Sequence, residues 1–182
     1  MDRLDLSTRF EASGDEGVFT GYAAIWDEPN AHKETVQRGA FRRSLQEHVR
    51  AGTKPLMLWS HNQSEIIGVW TEIREDDKGL YVTGKIVTTT TRGKEAFDLL
   101  KAGALNGLSI GFRSRADKRA ANGLRVLTDI DLAEISIVGL PSAGRARITS
   151  VRSSGRSSES AAAFIDACRK AKCALVDKRK NP

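Results

Sequence analysis

The stretch Leu105-Asn106-Gly107-Leu108-Ser109-Ile110-Gly111-Phe112 alternates as a half-buried strand does. Leu108, Ile110 and Phe112 point one way, and Gly107, Ser109 and Gly111 the other. Small residues flank the serine on its own face, so its hydroxyl stands clear with room for another backbone alongside. That suits a nucleophile addressing an extended peptide. A serine between glycines is also a common structural arrangement, so the rest of the chain has to decide.

Downstream of this strand, a polar loop through Asp117 to Gly123 leads into a long strand, Leu124 to Leu140, closed by Pro141. Arg145 to Val151 reads as a last strand. Upstream lies a helix, Arg92 to Ala102, with Ala96, Leu99 and Leu100 packing inward and Gly103 as its stop. Before it, Ile66 to Arg74 and Leu80 to Val87 form a hairpin around Asp76-Asp77-Lys78-Gly79. Pro55 opens a short strand, Leu56 to Ser60, which ends at His61 and meets the polar loop Asn62 to Glu65. Gly39 to Val49 is helical, with Phe41, Leu45 and Val49 as a narrow apolar stripe. Leu4 to Phe10 and Gly17 to Ile25 are two opening strands. Strands dominate and helices do not alternate regularly with them, which argues against a doubly wound α/β sheet. The pattern predicts a mainly β (α+β) fold, a mostly antiparallel β-barrel flanked by helices.

The chain has 182 residues, 40% of them hydrophobic, enough for one core. No apolar run approaches the roughly 20 residues of a membrane span, and Met1-Asp2-Arg3 opens no signal-peptide core. The net charge is +6, and residues 152–182 hold eight Lys/Arg against three Asp/Glu, a net of +5 that leaves +1 for 1–151. The near-neutral body argues against a nucleic-acid face, so any such contact falls to the basic tail. Arg152 to Ser160 is a Ser/Gly/Arg-rich linker, and Ala161 to Val176 carries Phe164, Ile165, Cys168, Leu175 and Val176 on one helical face. The expected organisation is a body over 1–151 and a separable tail over 152–182. Cys168 and Cys173 are five apart and read as free thiols. No HExxH, Cys/His cluster or glycine-rich phosphate loop is present, so neither a metal nor a cofactor is called for.

A serine nucleophile needs a base, a group that orients the base, and donors for the oxyanion. Of three histidines, His32 sits in a charged loop and His48 on a polar helix, both as solvated side chains. His61 ends an apolar strand and faces a loop, held yet reachable. On the long strand, alternation without a bulge puts Val126, Thr128, Ile130, Leu132, Glu134, Ser136 and Val138 on one face. Glu134 is then a carboxylate on an apolar face and needs a partner, either an imidazolium or an arginine. Asp129 and Asp131 lie on the other face and would serve instead if the strand were bulged. The loop Pro141-Ser142-Ala143-Gly144-Arg145 lets backbone N–H groups converge, making Gly144 and Arg145 oxyanion candidates.

Five motifs stand in a telling order: Gly21-Tyr22-Ala23-Ala24-Ile25-Trp26; Gly39-Ala40-Phe41; Leu58-Trp59-Ser60-His61-Asn62; Asn106 to Phe112; and Leu132-Ala133-Glu134-Ile135-Ser136-Ile137-Val138. Over residues 4 to 151 the series resembles the prohead proteases of tailed bacteriophages of the HK97 type. The resemblance implies the fold of herpesvirus assembly proteases, with His61 as base, Ser109 as nucleophile and Glu134 as third member, where the herpesvirus enzymes carry a second histidine. It further implies a serine endopeptidase acting inside the immature prohead, in the cytoplasm of a bacterial host. Its substrates would be the scaffold segment of the major capsid protein and the protease itself, and dimerisation is expected from the herpesvirus likeness. From their composition, the linker and tail would serve either as a segment lost by self-cleavage or as an attachment to the scaffold. The rival reading is a non-catalytic capsid-assembly or scaffold protein that self-associates through its tail.

Overall fold

A computed structural model describes the backbone of residues 2–6, 11–13, 17–139 and 150–152, with side chains over 17–139. The strands are β1 (Asp2–Leu6), β2 (Glu11–Ser13), β3 (Val18–Ile25), β4 (Glu34–Val36), β5 (Leu56–Trp59), β6 (Asn62–Glu75), β7 (Gly79–Ile86), β8 (Gly107–Arg119), β9 (Arg125–Val138) and β10 (Ser150–Arg152). Two helices join them, α1 (Arg42–Ala51) and α2 (Thr91–Lys101). All ten strands belong to one curled, half-barrel sheet in the order β1-β8-β9-β5-β6-β7-β3-β2-β10, with β4 beside β9. The expected β architecture with flanking helices holds, but the sheet is mixed: β4 and β5 run parallel to β9, and β10 parallel to β2. Among the described residues no helix is long and apolar enough to cross a membrane. The linker beyond Arg152, the tail with both cysteines, and the loop holding Gly144 and Arg145 lie outside the described residues.

β9 is the spine. Antiparallel β8 lies along one edge over its full length, while the other edge is shared by β4 at Arg125–Leu127 and β5 at Glu134–Ile137. Directly paired residues share a face, so Leu108, Ile137 and Trp59 form one row across three strands, and Ile110, Ile135 and Met57 the next. With Phe112, Leu132, Phe19 and Trp70 they make the core side, fully buried except for Trp59, which is half-buried. Phe19 and Trp70 meet edge to face at 5.6 Å.

The helices differ in detail from their sequence patterns. α1 begins at Arg42, where the Phe41 N–H donates to Glu75 Oε1 at 2.9 Å, and stops at left-handed Gly52. Its expected stripe fades outward, Phe41 being buried and Val49 80% exposed. In α2, Thr90 caps the N-terminus by accepting from the Gly93 N–H, and Phe97 packs inward while Leu99 is 39% exposed. Asn62 to Glu65 is the start of β6 and not a loop, and β8 continues to Arg119 into what reads as polar loop. At Asp117–Arg119 ladder pairing with β9 has overridden polar composition, whereas in the first stretch only Asn62 has a ladder partner, Trp59.

The β6–β7 turn is held by its first residue. Asp76 Oδ1 accepts from the N–H groups of Lys78 (2.8 Å) and Gly79 (3.0 Å), and Oδ2 accepts from the Tyr22 hydroxyl (2.9 Å) and Arg74 (3.3 Å). Burial by itself pushes this carboxyl upward, but the two backbone donors, Tyr22 and Arg74 together hold it below the ordinary carboxylate value. The unfolded chain therefore takes up this proton first. The stabilisation is full above the unfolded value of about 3.9 and is lost as pH falls through the lower folded value. Urea midpoints of the wild type should accordingly fall more steeply below about pH 4 than those of Asp76→Asn. Parallel acid profiles for the two proteins would remove Asp76 from this role.

Candidate active site

The opposite face of the same three strands carries the polar row. Ser109 lies across from Ser136, and Ser136 across from Leu58; one step along, Gly111, Glu134 and Leu56 align. Ser109 and Ser136 are fully buried, and Glu134 is 4% exposed.

Glu134 reaches this face because β9 is bulged. Gly111 pairs with Glu134 and Phe112 with Leu132, so the register skips Ala133. Leu132 thus stays with Phe112 on the core side while Glu134 turns to the Ser109 side. The unbulged alternation expected from sequence, with Ile130, Leu132 and Glu134 on one face, does not hold. A second irregularity skips Thr128, which puts Leu127 in the core in place of Val126 and Thr128. Helix α1 fastens the bulge: the Leu132 N–H donates to Ser44 Oγ at 2.9 Å, and His48 Nε2 lies 2.9 Å from the Leu132 carbonyl oxygen. His48 also meets Thr53 Oγ1 at 2.9 Å, so it is a structural tie and not a solvated side chain. His32 is exposed, as expected.

His61 enters from the β5–β6 connection. Trp59 pairs with Asn62 across a two-residue turn in which Ser60 (φ 48°) and His61 (φ 63°) are both left-handed. Such hairpin turns usually carry Asn-Gly or Asp-Gly, and left-handed non-glycine residues cost of order 1 kcal/mol or more each. The turn is held in compensation by β9: the Ser60 N–H donates to the Ile137 carbonyl and the His61 N–H to Ser136 Oγ, both at 3.0 Å. The imidazole then lies with Nε2 at 2.6 Å from Ser109 Oγ and Nδ1 at 2.5 Å from Glu134 Oε1. Glu134 Oε2 accepts from Ser136 Oγ at 2.7 Å. The three sequence candidates Ser109, His61 and Glu134 are therefore brought into one hydrogen-bonded line.

Several expectations change at this point. The serine hydroxyl does not stand in an open groove: the His61 ring bonds it from one side and Ser136 faces it across the ladder. Asp129 and Asp131 stay away from His61 despite the bulges, Asp131 pairing with Arg115 at 3.0 Å and Asp129 with Arg43 at 3.5 Å. The arginine-paired alternative considered for Glu134 is realised at another buried carboxylate, Glu34, which lies 2.8 Å from Arg125. Ser136 is the residue that sequence reasoning passes over. Its signal is its place two residues beyond Glu134, in a strand whose partner carries Ser109.

Chemically, an imidazole whose Nδ1–H is taken by a carboxylate presents Nε2 as an acceptor to a hydroxyl, the arrangement by which a serine is activated. No group of three or more His, Cys, Asp or Glu among the described residues is placed to hold a metal ion.

A mainly β sheet curled around one core carries this Ser–His–Glu line on a buried face, and a fold and site of this kind fit the class of capsid proteases. The chain belongs to the caudovirus prohead serine protease family, whose model matches residues 4–160. It is 28% identical over 152 residues to the prohead protease of Enterobacteria phage HK97, a match covering 82% of this chain and 66% of that protein. It is also 36% identical over 112 residues to the capsid polyprotein of Pseudomonas phage PAJU2, covering 57% of this chain and 17% of the relative. The chain thus spans slightly under two thirds of the first relative and less than a fifth of the second. In fold it is similar to the bacteriophage T4 capsid assembly protease, with a TM-score of 0.58 at 11% identity over 78% of this chain and 100% of that one.

Proposed function

We propose that this chain is a serine endopeptidase of phage capsid maturation, with Ser109 as nucleophile, His61 as general base and Glu134 as the group that orients and charge-stabilises the imidazole. The observation that carries the reading is the continuous line Ser109 Oγ–His61 Nε2, His61 Nδ1–Glu134 Oε1, at 2.6 and 2.5 Å on a buried sheet face. His61 Nε2 takes the hydroxyl proton as Ser109 Oγ bonds to the scissile carbonyl carbon. The imidazolium then gives that proton to the departing amine as the C–N bond breaks. Water, activated by the same imidazole, hydrolyses the resulting ester. Backbone donors of the loop at Gly144 and Arg145 are assigned to the oxyanion.

The proposed substrates are the scaffold segment of the major capsid protein and the protease itself, inside the immature prohead within the host cell. In that scheme residues 1–151 form the catalytic body and the basic tail over 152–182 is the piece removed by self-cleavage. Self-association through a dimer is part of the same proposal. Intact-mass spectrometry of the purified chain over time, alone and with the capsid protein precursor, tests it. Loss of a C-terminal piece and release of a capsid-protein segment are expected. Stable masses for both proteins, in mixtures that assemble proheads, would favour a non-catalytic assembly protein.

A further inference from the structure

We propose that Ser136 is a positioning residue of this site, coupling the backbone of His61 to the carboxylate that holds its ring; the inference rests on the endopeptidase reading above. A serine hydroxyl has one proton to donate and lone pairs to accept with. The His61 N–H is a donor, so Ser136 Oγ accepts there at 3.0 Å, and its single proton goes to Glu134 Oε2 at 2.7 Å. Glu134 Oε1 meets the ring of the same histidine at 2.5 Å. The result is a closed circuit in which two residues of β9, Glu134 and Ser136, grip His61 at its side chain and at its backbone.

The circuit matters because His61 sits at a left-handed position that its own conformational preference does not favour. Without the Ser136 acceptor the turn loses the bond that holds its second residue against β9. Without the Ser136 donor the carboxylate loses a bond that favours its charged form. The titratable groups that Ser136 touches are His61 and Glu134, so both effects act on the proposed base and its orienting partner. Ser136 is fully buried, directly across the ladder from Ser109, and touches no peptide carbonyl in this scheme, so its action runs through His61.

The test compares full-length wild type with Ser136→Ala and Ser136→Cys, with Ser109→Ala as the zero. Peptide cleavage is followed across pH, and the His61 ring titration by NMR. Ser136→Ala should lower kcat on the order of 10²-fold at nearly constant KM, the scale of a displaced catalytic group. The acid limb of its rate profile and the His61 titration should both move to higher pH, because a carboxylate stripped of a donor holds the shared proton more tightly. Ser136→Cys, a weaker donor of similar size, should fall between, and it decides alone if the alanine variant does not fold. An unchanged pH profile and ring titration in a folded variant would overturn the positioning role, even if kcat fell. A wild type without cleavage, or a Ser109→Ala protein that still cleaves, would instead defeat the endopeptidase reading, and the NMR titration would still decide on Ser136.

Discussion

Ser109→Ala is expected to lower kcat/KM for peptide cleavage by on the order of 10⁶-fold, the scale on which a triad nucleophile is lost, while leaving the fold intact. The two halves of this expectation have separate causes. The substitution removes the atom proposed to bond to the scissile carbonyl, and Ser136 Oγ is not placed to replace it, since it spends its proton on Glu134 and accepts from a backbone N–H. The imidazole keeps its anchorage at Glu134 and at the turn, so the variant forfeits the hydrogen bond to the ring, about 1 kcal/mol. Backbone pairing is untouched, because the β8–β9 ladder at Ser109 and Ser136 is built from main-chain groups that alanine preserves. The measurement is kcat/KM on a cleavable peptide beside a thermal melt. Activity within about a thousandfold of wild type, in a protein melting near the wild-type temperature, would take the nucleophile's role away from Ser109.

What can be read from the sequence, and what cannot, follows the range of the interactions concerned. The core face of β8 is legible because Leu108, Ile110 and Phe112 alternate with small residues over a short, regular span. The β6–β7 hairpin is legible because Asp76 and Gly79 carry the turn chemistry locally. His61 stands out by scarcity and by ending an apolar strand. The pairing of β5 with β9 is not legible, since nothing in Leu56–Trp59 encodes a parallel partner so far along the chain. Nor is the bulge at Ala133. No glycine or proline marks it, and the N–H and carbonyl of neighbouring Leu132 are taken up by Ser44 and His48 of α1, contacts fixed only by tertiary packing. Glu134 therefore stands out in the sequence for a sound reason on the wrong face: a carboxylate needing a partner, but placed among the core residues it is turned away from. The left-handed Ser60 and His61 are hidden for the related reason that β9, and not the turn residues, holds their conformation.

The second large effect belongs to that carboxylate. Glu134→Gln should lower kcat/KM by roughly 10⁴-fold, the scale seen when a triad carboxylate becomes an amide and the histidine takes the wrong tautomer. Glu134 accepts at both oxygens, from the His61 ring at Oε1 and from Ser136 at Oε2. A glutamine offers one accepting oxygen and one donating nitrogen. If its oxygen keeps the Ser136 bond, its NH₂ faces Nδ1, which must then accept, and the ring proton moves to Nε2 against Ser109. A protonated Nε2 cannot take the serine's proton. If its oxygen faces the ring instead, the NH₂ meets the Ser136 hydroxyl, whose proton must turn elsewhere, and the grip on the His61 backbone loosens. Either way a buried amide replaces the charge that would stabilise the imidazolium. The substitution is nearly isosteric, so the fold should survive and the tautomer can be read directly: ¹⁵N spectra of a chain with three histidines should show His61 protonated at Nδ1 in the wild type and shifted towards Nε2 in the variant. A Glu134→Gln enzyme that retained activity within about tenfold of wild type would leave Glu134 as a structural carboxylate and return the orienting role to another group.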